Sequence, residues 1–166
     1  VVNIKDSFTR MKQERDAERA RASAKHQTQQ AKITERNAKI EEIASRLNSL
    51  FNMNDQPQNR GKLLESILND LFKVYGIHIC EDFRRRSPET GSLLEQIDGV
   101  IELNTRIHLI EMKWLKSPVG IMDFANHLNR LYSRPNVCGI FISASGYTEA
   151  ALLECKNVLS LSLIHI

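Results

Sequence analysis

Glycine and proline are both absent from residues 1 to 53, so nothing there interrupts a helix. Cysteine is scarce throughout. Cys80, Cys138 and Cys155 are odd in number, widely spaced and without a Cys-x-x-Cys pair. That excludes a disulfide scaffold and a cysteine zinc site, and predicts reduced thiols in a cytoplasmic protein. His26, His78, His108, His127 and His165 are scattered, so neither a histidine zinc site nor a Ser/His/Asp triad has a frame. No apolar run approaches the roughly 18 residues of a membrane span, and no leader of basic then apolar residues opens the chain. A strong charge of one sign is missing too: the net charge is +3 and the pI about 8.8. That balance permits a polyanionic partner without demanding one. The chain begins without Met and stops inside the apolar run VLSLSLIHI, which reads as a fragment of a longer protein.

The 166 residues, 42% hydrophobic, hold one ordinary domain with a modest appendage. The appendage is residues 1–53, a helix rich in Ala, Glu, Gln, Lys and Arg. Ile33, Ile40 and Leu47 share one heptad position, with Arg36, Ile43 and Leu50 three residues after each. That seam predicts coiled-coil pairing, and so a homo-oligomer, or packing on the following domain. The first half of the helix has no apolar stripe. Its mixed charge reads as a water-facing surface, and over residues 1–53 eleven Lys and Arg stand against seven Asp and Glu.

The stretch NMNDQPQNRG punctuates the chain as a linker, and residues 54–166 form the second part. GKLLESILNDLFKVYG places Leu64, Ile67, Leu68, Leu71, Phe72 and Tyr75 at helical spacing, closed by Gly76. IHICEDFRRR, LEQIDGVIELN and RIHLIEMKWL read as strands, GIMDFANHLNRLY as a helix and VCGIFISA as a buried strand. TEAALLECKN reads as a helix and VLSLSLIHI as a final strand. The expected fold is α/β: a mixed sheet flanked by helices, opening on an antiparallel meander and preceded by the long helix.

Charges inside the greasy hairpin QIDGVIELNTRIHLIEMKW then need a reason, because burying them is costly without partners. With the turn centred between Asn104 and Thr105, cross-strand partners have numbers summing to 209. Leu103 then faces Arg106, Val100 faces Leu109 and Asp98 faces Glu111. Alternation puts Lys113 on the face of Glu111. Two facing carboxylates destabilise a sheet unless a cation lies between them. Oxygen ligands suit Mg²⁺, or Mn²⁺ in its place. Lys113 is no ligand while protonated, but can orient a water or stabilise charge on a phosphate. A second Glu-x-Lys triplet, Glu154-Cys155-Lys156, ends a predicted helix where i and i+2 share no face and has no nearby upstream Asp. It reads as a decoy.

Helix, hairpin and triad together resemble the PD-(D/E)xK nuclease superfamily, most of all its Mrr-type restriction endonuclease branch, over residues 59–157. RGKLLESILNDLF resembles the first helix, QIDGVIE the Asp strand and LIEMKW the Glu-x-Lys strand. KSPVGIMDFANHL and GIFISASGYTEAAL resemble the later elements. Ile97 stands where a Pro often precedes the Asp. The resemblance implies a restriction-endonuclease-like fold and Mg²⁺-dependent hydrolysis of DNA phosphodiesters to 5′ phosphate ends. By position, Asp98 and Glu111 would bind metal, Lys113 would sit by the attacking water and Glu65 would hold the metal's waters.

Other residues carry weaker expectations. Gln96, two before Asp98, shares its face and would meet metal-bound waters or substrate, or else is an ordinary strand-surface Gln. Arg84, Arg85 and Arg86 would meet phosphates or line a solvated edge, and Lys116 follows the Glu-x-Lys strand as a further substrate contact. Trp114 reads as hinge packing, and Ser143, Ser145 and Tyr147 as shaping a turn. The expected function is a DNA endonuclease of restriction or defence. The competing readings are an inactive nuclease fold used for DNA binding or assembly, and a repair or junction-resolving nuclease.

Overall fold

Helical propensity without a breaker gives α1, Ile4–Leu50, 47 residues in a single helix. The computed structural model describes residues 4–53, 56–86, 88–158 and 160–166. Val1–Glu42 and Ile43–Ile166 form separate compact units. In the first, Phe8, Met11 and Ile33 are exposed and charged pairs such as Lys39–Glu35 line the surface, each a few tenths of a kcal/mol in a helix. In the second unit the end of the heptad seam is used internally: Ile43 and Leu50 are buried in the core and Leu47 packs against it. No helix among the described residues is long and apolar enough to cross a membrane.

The second helix, α2, spans Pro57–Val74, so it starts four residues before the Gly61 at which the sequence pattern placed it. Proline explains the early start, because its fixed φ and missing N–H suit the first helical position. The linker is correspondingly shorter than NMNDQPQNRG, and its Asn54 and Asp55 lie outside the described residues. The helix ends as its sequence predicts. Gly76 takes φ +68, its N–H bonds Lys73 O at 3.0 Å and the Ile77 N–H bonds Phe72 O at 3.1 Å. This is a Schellman closure.

The remaining elements are β1 His78–Arg86, β2 Leu93–Leu103, β3 Arg106–Lys113, α3 Ile121–Tyr132, β4 Val137–Ser143, α4 Glu149–Lys156 and β5 Leu161–His165. Only the last is clearly shorter than its apolar run, beginning at Leu161 because a turn occupies Ser160. The five strands lie in chain order, β1-β2-β3-β4-β5. The first three are antiparallel, and β4 and β5 join in parallel. This is the mixed sheet flanked by helices that the sequence predicts. On one face Leu64, Ile67 and Leu68 of α2 and the end of α1 pack on Ile101, Ile110, Met112, Ile140 and Ile142. On the other, Phe124 and Leu131 of α3 and Ala151 of α4 pack on Leu109, Phe141 and Leu161.

The β2–β3 turn is the two-residue hairpin expected, with register Leu103–Arg106 through Gly99–Ile110. Asn104 and Thr105 both have positive φ, 51° and 62°, as a type I′ turn requires. Asparagine tolerates that region and β-branched threonine does not. Under β4, α3 comes close because Gly139 has no side chain. A Cβ there would lie 2.5 Å from Leu131 Cδ1 and 2.8 Å from His127 Nε2.

Two stability changes are expected in urea unfolding. Thr105→Gly should stabilise by about 0.5–1 kcal/mol by relieving the left-handed residue. Gly139→Ala should destabilise by about 1–3 kcal/mol through overpacking beneath α3.

Candidate active site

The β2–β3 ladder ends at Gly99–Ile110, and the next residue of β2 is Asp98. Its side chain takes the place of a backbone acceptor: Asp98 Oδ2 accepts from the Met112 N–H at 2.8 Å. Its backbone carbonyl turns to α2, where Asn69 Nδ2 donates to it at 3.1 Å. Asn69 fits against the strand because the next residue is Gly99, where a Cβ would stand 2.7 Å from Asn69 Oδ1. The hairpin therefore parts at the acidic residue. β2 stays paired with β1 beyond it, through Phe83–Ile97 and Arg84–Gln96, while β3 stays paired with β4 through Glu111–Phe141 and Lys113–Ser143.

Asp98 and Glu111 are buried, 6% and 7% exposed, and Lys113 Nζ lies 2.7 Å from Glu111 Oε1. Asp98 does not pair with Glu111 as the turn-centred register expects, because the ladder stops one residue short, at Gly99–Ile110; the two carboxylates interact through their charges. Burial first, and then the charge of Glu111, push the Asp98 carboxyl up to about 7; Glu65 adds to the shift, while the Met112 N–H and Lys113 oppose it. Burial works to lower the Lys113 pKa, but attraction and hydrogen bonding to Glu111, with Asp98 and Glu65, outweigh it and raise the value. Lys113 is thus a cation at neutral pH and no general base.

Glu65, half-buried on α2, acts on Asp98 and Lys113 through its charge. Gln96 is half-buried and Arg84 is exposed on β1. The Arg85 side chain lies outside the described residues. Lys116 is exposed in the loop after β3 and makes no hydrogen bond or ion pair among the described residues. Trp114 is packed, with Phe51 at 4.8 Å between ring centroids and the Arg60 guanidinium 4.5 Å from its ring. Ser145 ties the loops after β3 and β4 together, accepting from the Leu115 N–H at 2.7 Å and donating to Leu115 O at 2.7 Å. Glu154 and Lys156 are exposed at the end of α4, as expected of the decoy triplet.

Sequence reasoning missed the contribution of α3. Arg130 reaches Glu111 Oε2 at 2.6 Å, and Arg134, in the loop just after α3, reaches Glu95 Oε2 at 2.7 Å. His127 Nδ1 stands 4.0 Å from Glu111 Oε2. Burial lowers the His127 pKa to about 4; Glu111 opposes the shift, and Arg130 and Lys113 add to it. The imidazole is therefore neutral near pH 7. One signal was available: His127 and Arg130 sit three apart on a helix whose apolar positions include Phe124 and Leu131.

Two buried carboxylates, one of them pushed toward protonation by burial and then by the charge of the other, fit a hard cation by ligand type and by charge. No third His, Cys, Asp or Glu is grouped with them as a ligand among the described residues. A cation here would complete its shell with water or a phosphate oxygen, as Mg²⁺ commonly does.

The carboxylate pair makes stability depend on pH. The folded Asp98 carboxyl, raised to about 7 from 3.8, holds its proton more tightly than the unfolded one. Its contribution is full below pH 3.8 and is lost as pH rises through about 7. In EDTA, wild-type protein should lose stability across that window relative to Asp98→Asn, measured by urea unfolding. Equal slopes in the two proteins would refute the raised pKa.

No protein-family model matches the chain, and no curated protein matches its sequence. Solved structures do resemble it. A protein of unknown function, AF1548, aligns at 16% identity and a TM-score of 0.50, over 61% of this chain and 56% of that one. The MspJI restriction endonuclease, in complex with a 27-mer oligonucleotide, aligns at 20% identity and 0.47, over 74% of this chain and 29% of that one. The protein VC1899 from Vibrio cholerae aligns at 18% identity and 0.45, over 64% of this chain and 30% of that one. The chain spans just over half of the first and less than a third of the other two. At these identities the likeness concerns the fold alone, and only the first reaches a TM-score of 0.50.

Proposed function

We propose that this chain is a divalent-metal-dependent deoxyribonuclease of the PD-(D/E)xK type, of the Mrr branch, acting in restriction or defence. The observation that carries the reading is the meeting of Asp98, Glu111 and protonated Lys113 at the point where β2 and β3 part. The same three residues carry the sequence resemblance, and their positions are independent of the distant structural likenesses.

Asp98 and Glu111 would hold Mg²⁺ or Mn²⁺. When bound, such an ion neutralises the phosphodiester charge that repels nucleophiles and lowers the pKa of a water. The remaining roles belong to the chain itself. The Met112 N–H and the Asn69 amide fix Asp98 from both sides, so its free oxygen keeps one direction. Lys113, a cation held by Glu111, donates hydrogen bonds to the attacking water and to negative charge growing on the phosphate. Glu65 orders water from the α2 side. Gln96, Arg84, Arg85 and Lys116 would meet the DNA backbone, which supplies much nonspecific affinity. Cutting both strands takes two such centres, and α1 would join two copies.

The deciding measurement is cleavage of supercoiled plasmid, modified and unmodified, with Mg²⁺ or Mn²⁺. Wild-type protein should nick or linearise it. Lys113→Ala and Asp98→Asn should each reduce the rate by about 10² or more while remaining folded by circular dichroism. Cleavage that persists unchanged in Lys113→Ala would sink the assignment. Calorimetric metal binding without cleavage would instead favour an inactive DNA-binding module.

A further inference from the structure

Arg130 has no part in the scheme above, yet it touches one of its carboxylates. Its NH1 lies 2.6 Å from Glu111 Oε2, and its Nε lies 3.9 Å from Glu95 Oε1. Glu95 in turn takes Arg134 NH2 at 2.7 Å on its other oxygen. Glu95 and Glu111 are both buried, and the Arg130 side chain is 18% exposed. A guanidinium stays charged at any working pH, and its planar fork suits two carboxylates at once. Lys113 holds Glu111 Oε1 from the strand and Arg130 holds Glu111 Oε2 from the helix. Both oxygens therefore face a cation supplied by the chain.

We propose that Arg130 is a positioning residue of this site, a built-in counter-charge that fixes Glu111 Oε2 and against which the divalent cation must bind. The proposal rests on the reading of Asp98 and Glu111 as metal ligands. Its physical basis is that Glu95 and Glu111 are both buried and bridged by Arg130 where burial weakens screening. Without a metal ion, Lys113 and Arg130 meet the charge of Glu111, and Arg134, in the loop after α3, meets that of Glu95. Once a divalent cation is shared by Asp98 and Glu111, the Arg130 charge opposes it at close range. The arginine thus lowers metal affinity while keeping Glu111 in one orientation. Arg130 acts through Glu111 and needs no contact with substrate.

The test compares wild type, Arg130→Gln and Arg130→Lys by calorimetric titration with Mn²⁺ and by thermal melting in EDTA and in saturating Mn²⁺. Arg130→Gln should bind Mn²⁺ about tenfold more tightly, because a like charge has gone. It should melt lower than wild type in EDTA and recover most of the deficit in Mn²⁺, since a ligand bound only by the folded state stabilises it in proportion to its affinity. Arg130→Lys keeps the charge and should keep wild-type affinity. Plasmid cleavage by Arg130→Gln should be slower even at saturating metal, because Glu111 has lost its orientation. A purely structural arginine would lower both melting temperatures equally and leave Mn²⁺ affinity unchanged, and that result overturns the proposal. If Arg130→Gln is unfolded in EDTA, folding on addition of Mn²⁺ supports the counter-charge role, and failure to fold in Mn²⁺ overturns it. Wild-type protein that takes up no Mn²⁺ overturns the metal reading, and the proposal with it. Wild type that binds Mn²⁺, with Arg130→Gln binding identically, overturns the proposal alone.

Discussion

Asp98 accepting a hydrogen bond from the Met112 N–H at 2.8 Å is the interaction on which the candidate site depends. A backbone N–H inside a sheet must find an acceptor, and here a side chain supplies it where the neighbouring strand otherwise would. The consequence is topological. One residue past Gly99–Ile110 the two strands of the hairpin separate, β2 following β1 and β3 following β4. At this point of separation Asp98 and Glu111 are buried while the Lys113 side chain is 37% exposed.

Each layer of the fold contributes to that opening. From one side α2 brings Asn69 to the Asp98 carbonyl and the charge of Glu65. From the other, α3 brings Arg130 to Glu111 and the loop after it brings Arg134 to Glu95. Both approaches rely on missing side chains, at Gly99 for Asn69 and at Gly139 for α3. Glycine inside a strand weakens it, and its usual reason is close approach of another part of the chain. Here both glycines lie under the elements that carry the polar groups of the site.

The electrostatics follow from this crowding. Burying carboxylates together is unfavourable unless cations or hydrogen bonds meet them. Asp98 has one backbone hydrogen bond and rises to about 7, while Glu111 has Lys113 and Arg130 within 2.7 Å. Two carboxylates thirteen residues apart are thereby given different partners. Perturbed pairs of this kind gather where a protein does chemistry, although structural ion networks also produce them.

Local rules made much of this legible in the sequence. The alternation of β2 and β3 about Asn104 and Thr105 gave the register from Leu103–Arg106 to Gly99–Ile110 and pointed to Asp98, Glu111 and Lys113 as a group, because side-chain direction along a paired strand follows parity. The spacing of Leu64, Ile67 and Leu68 likewise named the buried face of α2. Glu95 shows where such rules stop. Strict alternation puts it on the face opposite Asp98, yet once β2 has parted from β3 it is reached by the helix that also holds Glu111. Arg130 was equally out of reach, since its contact depends on how closely α3 sits over Gly139 and joins residues nineteen apart. The sequence by itself determined the elements, their order and the catalytic-looking triplet, because periodicity and turn chemistry are local. Only the tertiary structure decided which charges surround the triplet, because that depends on where separate layers come into contact.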